Sequence, residues 1–281
     1  MGLYDREYSH GNYNPQHRAP QMRMKFPSLT PMVKRLLIIN VAVFFLSIII
    51  KPLGNVIYQW FCIDATSIPQ ALQLWRLVSY QFLHASFWHL LFNMIGLYFL
   101  GPTLERHWHS RKFLTFYLGC GIAGGLLYLT LVSLGLLDAG VMVGASGAIL
   151  GMLAACAILF PHFVVFILFF PVPIRVAAII LTGWYVANLF TGAQNAGGDA
   201  AHLGGMAAGA IYVFSQNWQT KFKTKVRFQQ FQKKVTSKQD IQQELDQILE
   251  KVHQSGIHSL SSKEKKILKQ ATKNQQTKNN N

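Results

Sequence analysis

The chain has 281 residues, of which 51% are hydrophobic and only 13% charged, and its formal net charge is +15. A soluble domain of this size carries about 25% charged residues, so the composition excludes an ordinary water-soluble globule and points to a membrane protein. The basic excess sits at the ends: residues 1–35 hold six Lys or Arg against two acids, 221–281 hold 14 against five, and 36–220 only six against four. Basic ends around an apolar body are the pattern of segments facing anionic lipid, so no nucleic-acid partner is expected.

In chain order, residues 1–33 read as a solvated cytoplasmic tail. Asp5 and Glu7, with no apolar core before Met32, fit neither a signal peptide nor an acid-poor transit peptide. Six apolar stretches near membrane-spanning length follow, at 34–51, 87–105, 112–134, 146–161, 174–192 and 200–218. The expected fold is therefore all-α, a polytopic bundle of six transmembrane helices over residues 34–218. Residues 162–173 are also apolar, but Pro171 and Pro173 mark them as an interfacial or partly buried connection. With the N-terminal tail inside, the inner loops hold Arg106, Arg111, Lys112 and Arg175. The outer side keeps Arg76, in a long connection with Lys51 at its edge. An even number of spans brings the Lys-rich C-terminus to the same side, so both termini are expected in the cytoplasm.

That topology runs spans two, four and six in one direction and sets His89, Asn93, Ser146 and His202 at one depth, just below the outer surface. Polar side chains are costly in lipid and mark functional sites by default. Ser146 stands in Gly144-Ala145-Ser146-Gly147 where a helix should begin. There, free backbone N–H groups and the positive dipole end favour an oxyanion, while the plainer alternative is a helix cap. His202 precedes Gly205 and Gly209, spaced like Gly147 and Gly151, so spans four and six carry small-residue faces that permit a serine–histidine hydrogen bond. Its alternative is a structural histidine bonded to a backbone carbonyl. His89 and Asn93, four residues apart, share one face of span two. Donors there can stabilise the oxygen of a tetrahedral intermediate; metal ligation is disfavoured, because one partner is Asn and no carboxylate or cysteine cluster accompanies it. Asp199 either faces His202 across one turn or ends a loop rich in Gly197 and Gly198, and the loop reading is preferred. His84 reads equally as a support of the site or as an interfacial residue. Cys62, Cys120 and Cys156 cannot all pair within one chain, have no metal-ligand spacing and carry no argument; no metal or other cofactor is expected.

Taken together these residues resemble the rhomboid intramembrane serine proteases. The resemblance runs through Trp75-Arg76, His84, His89-Leu90-Leu91-Phe92-Asn93, Gly144-Ala145-Ser146-Gly147 and Ala201-His202 with Gly205 and Gly209. It covers residues 34–218 and implies a six-helix rhomboid protease domain without cofactor. It implies a serine–histidine dyad that requires no acid, with Ser146 as nucleophile and His202 as general base and then acid, and with His89, Asn93 and the Ser146 N–H as oxyanion hole. Gly144, Gly147, His84, Leu150 and Gly205 would support the site. Substrates would be transmembrane proteins cut in or near the bilayer, in a plasma membrane that the six-span layout makes bacterial. Leu150 departs from well-known relatives, in which an aromatic residue one turn after the serine packs on the histidine. The alternative reading is a non-catalytic rhomboid-like membrane-protein binder, and a transporter is a third.

Beyond the bundle, residues 219–236 read as a basic linker and 237–272 as a small cytoplasmic helical module. Ile241, Leu245, Ile248, Leu249 and Val252 recur at helical spacing, Gly256 stops the helix, and Ser261 to Glu264 reads as a capping box. The module is a candidate docking element for a cytoplasmic partner. The polar stretch 273–281 reads as disordered.

Overall fold

A computed structural model describes residues 27–167, 170–192 and 194–279. The expected N-terminal tail thus lies outside the described residues as far as residue 26, and its last residues belong to the first helix. The chain divides into two compact units, Met1–Gly209 and Ala210–Asn281.

In the first unit, α1 (Pro31–Ile49) begins with Pro at its first position, where a missing N–H costs nothing. The next amides, those of Met32 and Val33, each donate to the Glu105 carboxylate at 2.9 Å, and Thr30 and Ser110 donate their hydroxyls to it as well. Glu105 therefore serves as a borrowed helix cap, and this explains a buried carboxylate in an apolar bundle.

The long outer connection folds into α2 (Lys51–Phe61), β1 (Ile63–Asp64), α3 (Ile68–Ala71), α4 (Arg76–Ser79) and a 3₁₀ turn over Tyr80–Phe82. Arg76 staples it: its guanidinium donates to the carbonyls of Cys62 at 2.6 Å and Gln59 at 2.8 Å and to the Gln73 side chain at 2.7 Å. Trp75 donates its indole N–H to the Trp60 carbonyl.

The second and third apolar stretches form α5 (Phe87–Ser133), broken at His109, whose φ of 66° divides it into two helices. The expected connection over 105–112 shrinks to this one break. After β2 (Val141–Met142), antiparallel to β1, comes α6 (Ser146–Leu159), in which every residue from Gly147 to Ala157 is buried. Its Gly, Ala and Cys side chains are small enough to let neighbouring helices surround it. Within 162–173, β3 (Val164–Ile167) and β4 (Phe170–Pro173) pair antiparallel, then α7 (Ile174–Thr191) ends on Gly192 in the left-handed conformation. The next helix, α8 (Ala196–Ser255), begins beside it in sequence.

By length and composition α1, α5 and α7 are able to cross a membrane, and α6 is a shorter apolar helix. Their outward faces carry many exposed large apolar side chains: Ile179 is 71% exposed and Phe190 88%. Such faces are stable only against lipid. The architecture is an all-α membrane bundle.

In the second unit, the basic linker expected over residues 219–236 is helical, since no Gly or Pro interrupts its Lys, Gln and Arg. Gly256, at φ 75°, ends α8, and α9 (Ser262–Asn279) follows. The capping box forms, with the Ser261 amide donating to Glu264 at 2.7 Å and the Glu264 amide to the Ser261 hydroxyl at 3.3 Å. Ile248 and Leu260 are buried in this unit. α9 runs through 273–279, the stretch expected to be disordered, again because nothing there breaks a helix.

Candidate active site

The N-terminal ends of α5, α6 and α8 meet around a cavity of about 650 Å³. Ser146 is the first residue of α6, and its Oγ lies 2.7 Å from Nε2 of His202, which stands two turns into α8. Two glycine pairs allow that approach. A Cβ on Gly205 would sit 2.0 Å from the Gly147 carbonyl oxygen and 2.9 Å from its Cα, and one on Gly209 would sit 2.3 Å from the Gly151 oxygen. The two helices touch backbone to backbone, as a small-residue face permits and any side chain prevents.

His89 and Asn93 enter from α5. The Ser86 hydroxyl caps that helix by accepting from the His89 amide, and Asn93 Nδ2 donates to the His89 carbonyl at 2.9 Å. A Cβ on Gly144 would lie 2.7 Å from both Cε1 and Nε2 of His89 and 3.7 Å from Ser146 Oγ. The His89 ring tip and the serine hydroxyl therefore flank bare glycine backbone, held at a φ of 131° that only glycine adopts without strain. The Gly144 amide is tied to the Tyr80 carbonyl at 2.9 Å, and Tyr80 in turn donates its hydroxyl to the Gly121 carbonyl at 2.6 Å. Tyr128 similarly holds both the amide and the carbonyl of Gly140 in the loop before the serine. His84 is buried behind His89 with ring centroids 5.2 Å apart, and its carbonyl accepts from Tyr58. Among the described residues no group of three or more His, Cys, Asp or Glu is placed to hold a metal ion. The three cysteines are free and buried.

One expectation about His202 changes. Asp199 is not at the end of an exposed loop: it lies in the first turn of α8 and is 2% exposed, with Oδ1 3.6 Å from His202 Nδ1. The helix begins at Ala196, so the glycines read as loop residues are inside it. The ring contact on His202 is supplied by Tyr185 of α7, with centroids 4.6 Å apart, while Leu150 is buried within α6. Sequence reasoning missed Tyr185, and also Asn188, whose amide donates to Asp199 at 2.9 Å. Their i, i+3 spacing on an apolar helix was the available signal, but it did not say which face meets α8.

Two family models match the chain. One describes a rhomboid domain and covers residues 71–217; the other describes a family of unknown function and covers residues 232–274. The chain is 36% identical to Rhomboid protein 1, mitochondrial, of Saccharomyces cerevisiae over 146 residues, which is 48% of this chain and 40% of that protein. It is 31% identical to RHOMBOID-like protein 12, mitochondrial, of Arabidopsis thaliana over 153 residues, 50% of this chain and 45% of that one. Rhomboid protease GlpG of Serratia proteamaculans matches at 28% over 152 residues, 54% and 50% of the two chains. The matches thus span half or less of these relatives' own length.

Proposed function

This chain belongs to the rhomboid family, and on that premise we propose that it is an intramembrane serine endopeptidase that cuts membrane-protein substrates in or near their transmembrane segments. The observation that carries the reading is the 2.7 Å contact between Ser146 Oγ and His202 Nε2 at the mouth of a cavity lined by His89 and Asn93. In the reaction, Oγ attacks the scissile carbonyl as its proton passes to Nε2. The oxygen of the tetrahedral intermediate takes hydrogen bonds from His89, Asn93 and the Ser146 N–H, each such donor being worth about 3 kcal/mol. His202 then gives its proton to the leaving amine, and water attacks the acyl-serine by the same base.

In the same reading the bundle crosses the bilayer six times with both termini in the cytoplasm, following the basic residues at its inner ends. The membrane is the plasma membrane of a bacterium; the mitochondrial names among the relatives make a mitochondrial membrane the rival location. The C-terminal helical unit is the candidate docking element for a cytoplasmic partner. The test is cleavage of a single-span substrate by detergent-purified protein, with a fluorophosphonate as active-serine probe. Wild type should cut and be labelled, and Ser146→Ala and His202→Ala should lose at least about 10³-fold in rate. Cutting by Ser146→Ala would refute the nucleophile, and inert wild type would favour the non-catalytic binder.

A further inference from the structure

The serine contact uses one imidazole nitrogen, Nε2, and leaves Nδ1 of His202 buried without a hydrogen-bond partner. For Nε2 to accept the serine proton, the neutral ring must carry its hydrogen on Nδ1. A buried N–H without an acceptor is costly. The acceptor in place is Asp199, whose Oδ1 lies 3.6 Å away. The other groups set against the ring serve differently: Ser146 of α6 takes Nε2, Tyr185 of α7 covers a face, and His89 of α5 lines the shared cavity. Asp199 is 2% exposed, and a carboxylate so deep requires partners. Asn188 of α7 donates to its Oδ2 at 2.9 Å, which leaves Oδ1 for the imidazole. The remaining gap exceeds a hydrogen bond by about 0.7 Å, within reach of a small side-chain rotation.

We propose that Asp199, held by Asn188, positions His202 through Nδ1, so that this chain works with a Ser146–His202–Asp199 triad anchored on α7 rather than with a serine–histidine pair alone. The role rests on the protease reading above. Asp199 touches neither the substrate nor the reacting atoms. It fixes the tautomer that leaves Nε2 free to accept, and it balances the positive ring formed once the serine proton has moved.

The full-length protein in detergent is labelled with a fluorophosphonate and assayed on a single-span substrate, comparing wild type, Asp199→Asn, Asp199→Glu and Asn188→Ala. Asp199→Asn should reach the wild-type labelling end point about 10- to 100-fold more slowly, with kcat reduced by the same factor and KM unchanged. Asp199→Glu, whose carboxylate still reaches the ring, should recover part of that rate, and Asn188→Ala should fall between. Wild-type rates in both Asp199→Asn and Asn188→Ala would overturn the proposal. So would a reduced end point at an unchanged rate, the signature of a purely structural role. If wild type itself is neither labelled nor active, the protease reading fails and this role with it. A labelled wild type beside an indifferent Asp199→Asn removes the positioning role alone.

Discussion

Replacing Gly205 by alanine tests whether helix contact is what holds the serine–histidine pair. The new methyl carbon would lie 2.0 Å from the Gly147 carbonyl oxygen, 2.6 Å from its carbon and 2.9 Å from its Cα. Carbon and oxygen rest at roughly 3.3 Å, so α6 and α8 must separate by roughly 1.3 Å, and no rotamer change relieves a clash with backbone. His202 lies one turn before Gly205 on the same helix. Most of the separation therefore passes to the 2.7 Å contact with Ser146, carrying it beyond the hydrogen-bond range of about 2.6–3.2 Å. A misplacement of about 1 Å costs about 10²-fold in rate, while overpacking costs about 1–3 kcal/mol of stability. The assay is kcat on a single-span substrate together with the fluorophosphonate labelling rate and the unfolding midpoint in detergent. Gly209→Ala, whose Cβ would meet the Gly151 oxygen at 2.3 Å, should lose similar stability and less activity, because it lies one turn farther from His202. Gly119→Ala, with nothing within 4 Å of its Cβ, should change neither. A Gly205→Ala protein that keeps half or more of the wild-type kcat would refute the reasoning.

Gly144→Ala should lower kcat by about 10- to 100-fold, since the left-handed φ of 131° strains alanine and its Cβ would displace the His89 ring from 2.7 Å; unchanged kcat would separate His89 from the reaction. Glu105→Ala leaves the Met32 and Val33 amides without their carboxylate, and should cost about 3 kcal/mol in an unfolding titration while the unfolded midpoint of Glu105→Gln falls less. In the C-terminal unit, the Ser261 amide, then the Lys251 ammonium, hold the Glu264 carboxyl down to about 2 from 4.5. A folded value below the unfolded one gives stability that is present above pH 4.5 and is lost as the pH falls toward 2. Amide exchange in α9 should accelerate across that window in wild type but not in Glu264→Gln, and identical profiles would remove Glu264 as the cause.

The apolar stretches and the four polar residues near their N-terminal ends were readable in one dimension. Lipid requires long apolar runs whose backbone is satisfied internally, so Ser146, His89, Asn93 and His202 stand out against their neighbours. The pairs Gly147 and Gly151, Gly205 and Gly209 announced a close face for the same reason. The basic linker 219–236 is helical because a run of Lys, Arg and Gln without Gly or Pro favours a helix, a conformation that its charge alone did not specify. Asp199 was misread because Gly197 and Gly198 resemble a loop, although an acid in a helix's first turn is equally well placed.

By itself, then, the sequence determined the membrane bundle, the order of its helices and the polar groups offered at the helix ends, since each follows from local composition and helical period. Tertiary structure alone decided that Tyr185 covers His202, that Asn188 holds Asp199, that Tyr80 ties down Gly144 and that Glu105 caps α1. Each of those contacts depends on the rotation and crossing of helices distant in sequence, which hydrophobic periodicity on an all-apolar lipid-facing helix does not encode.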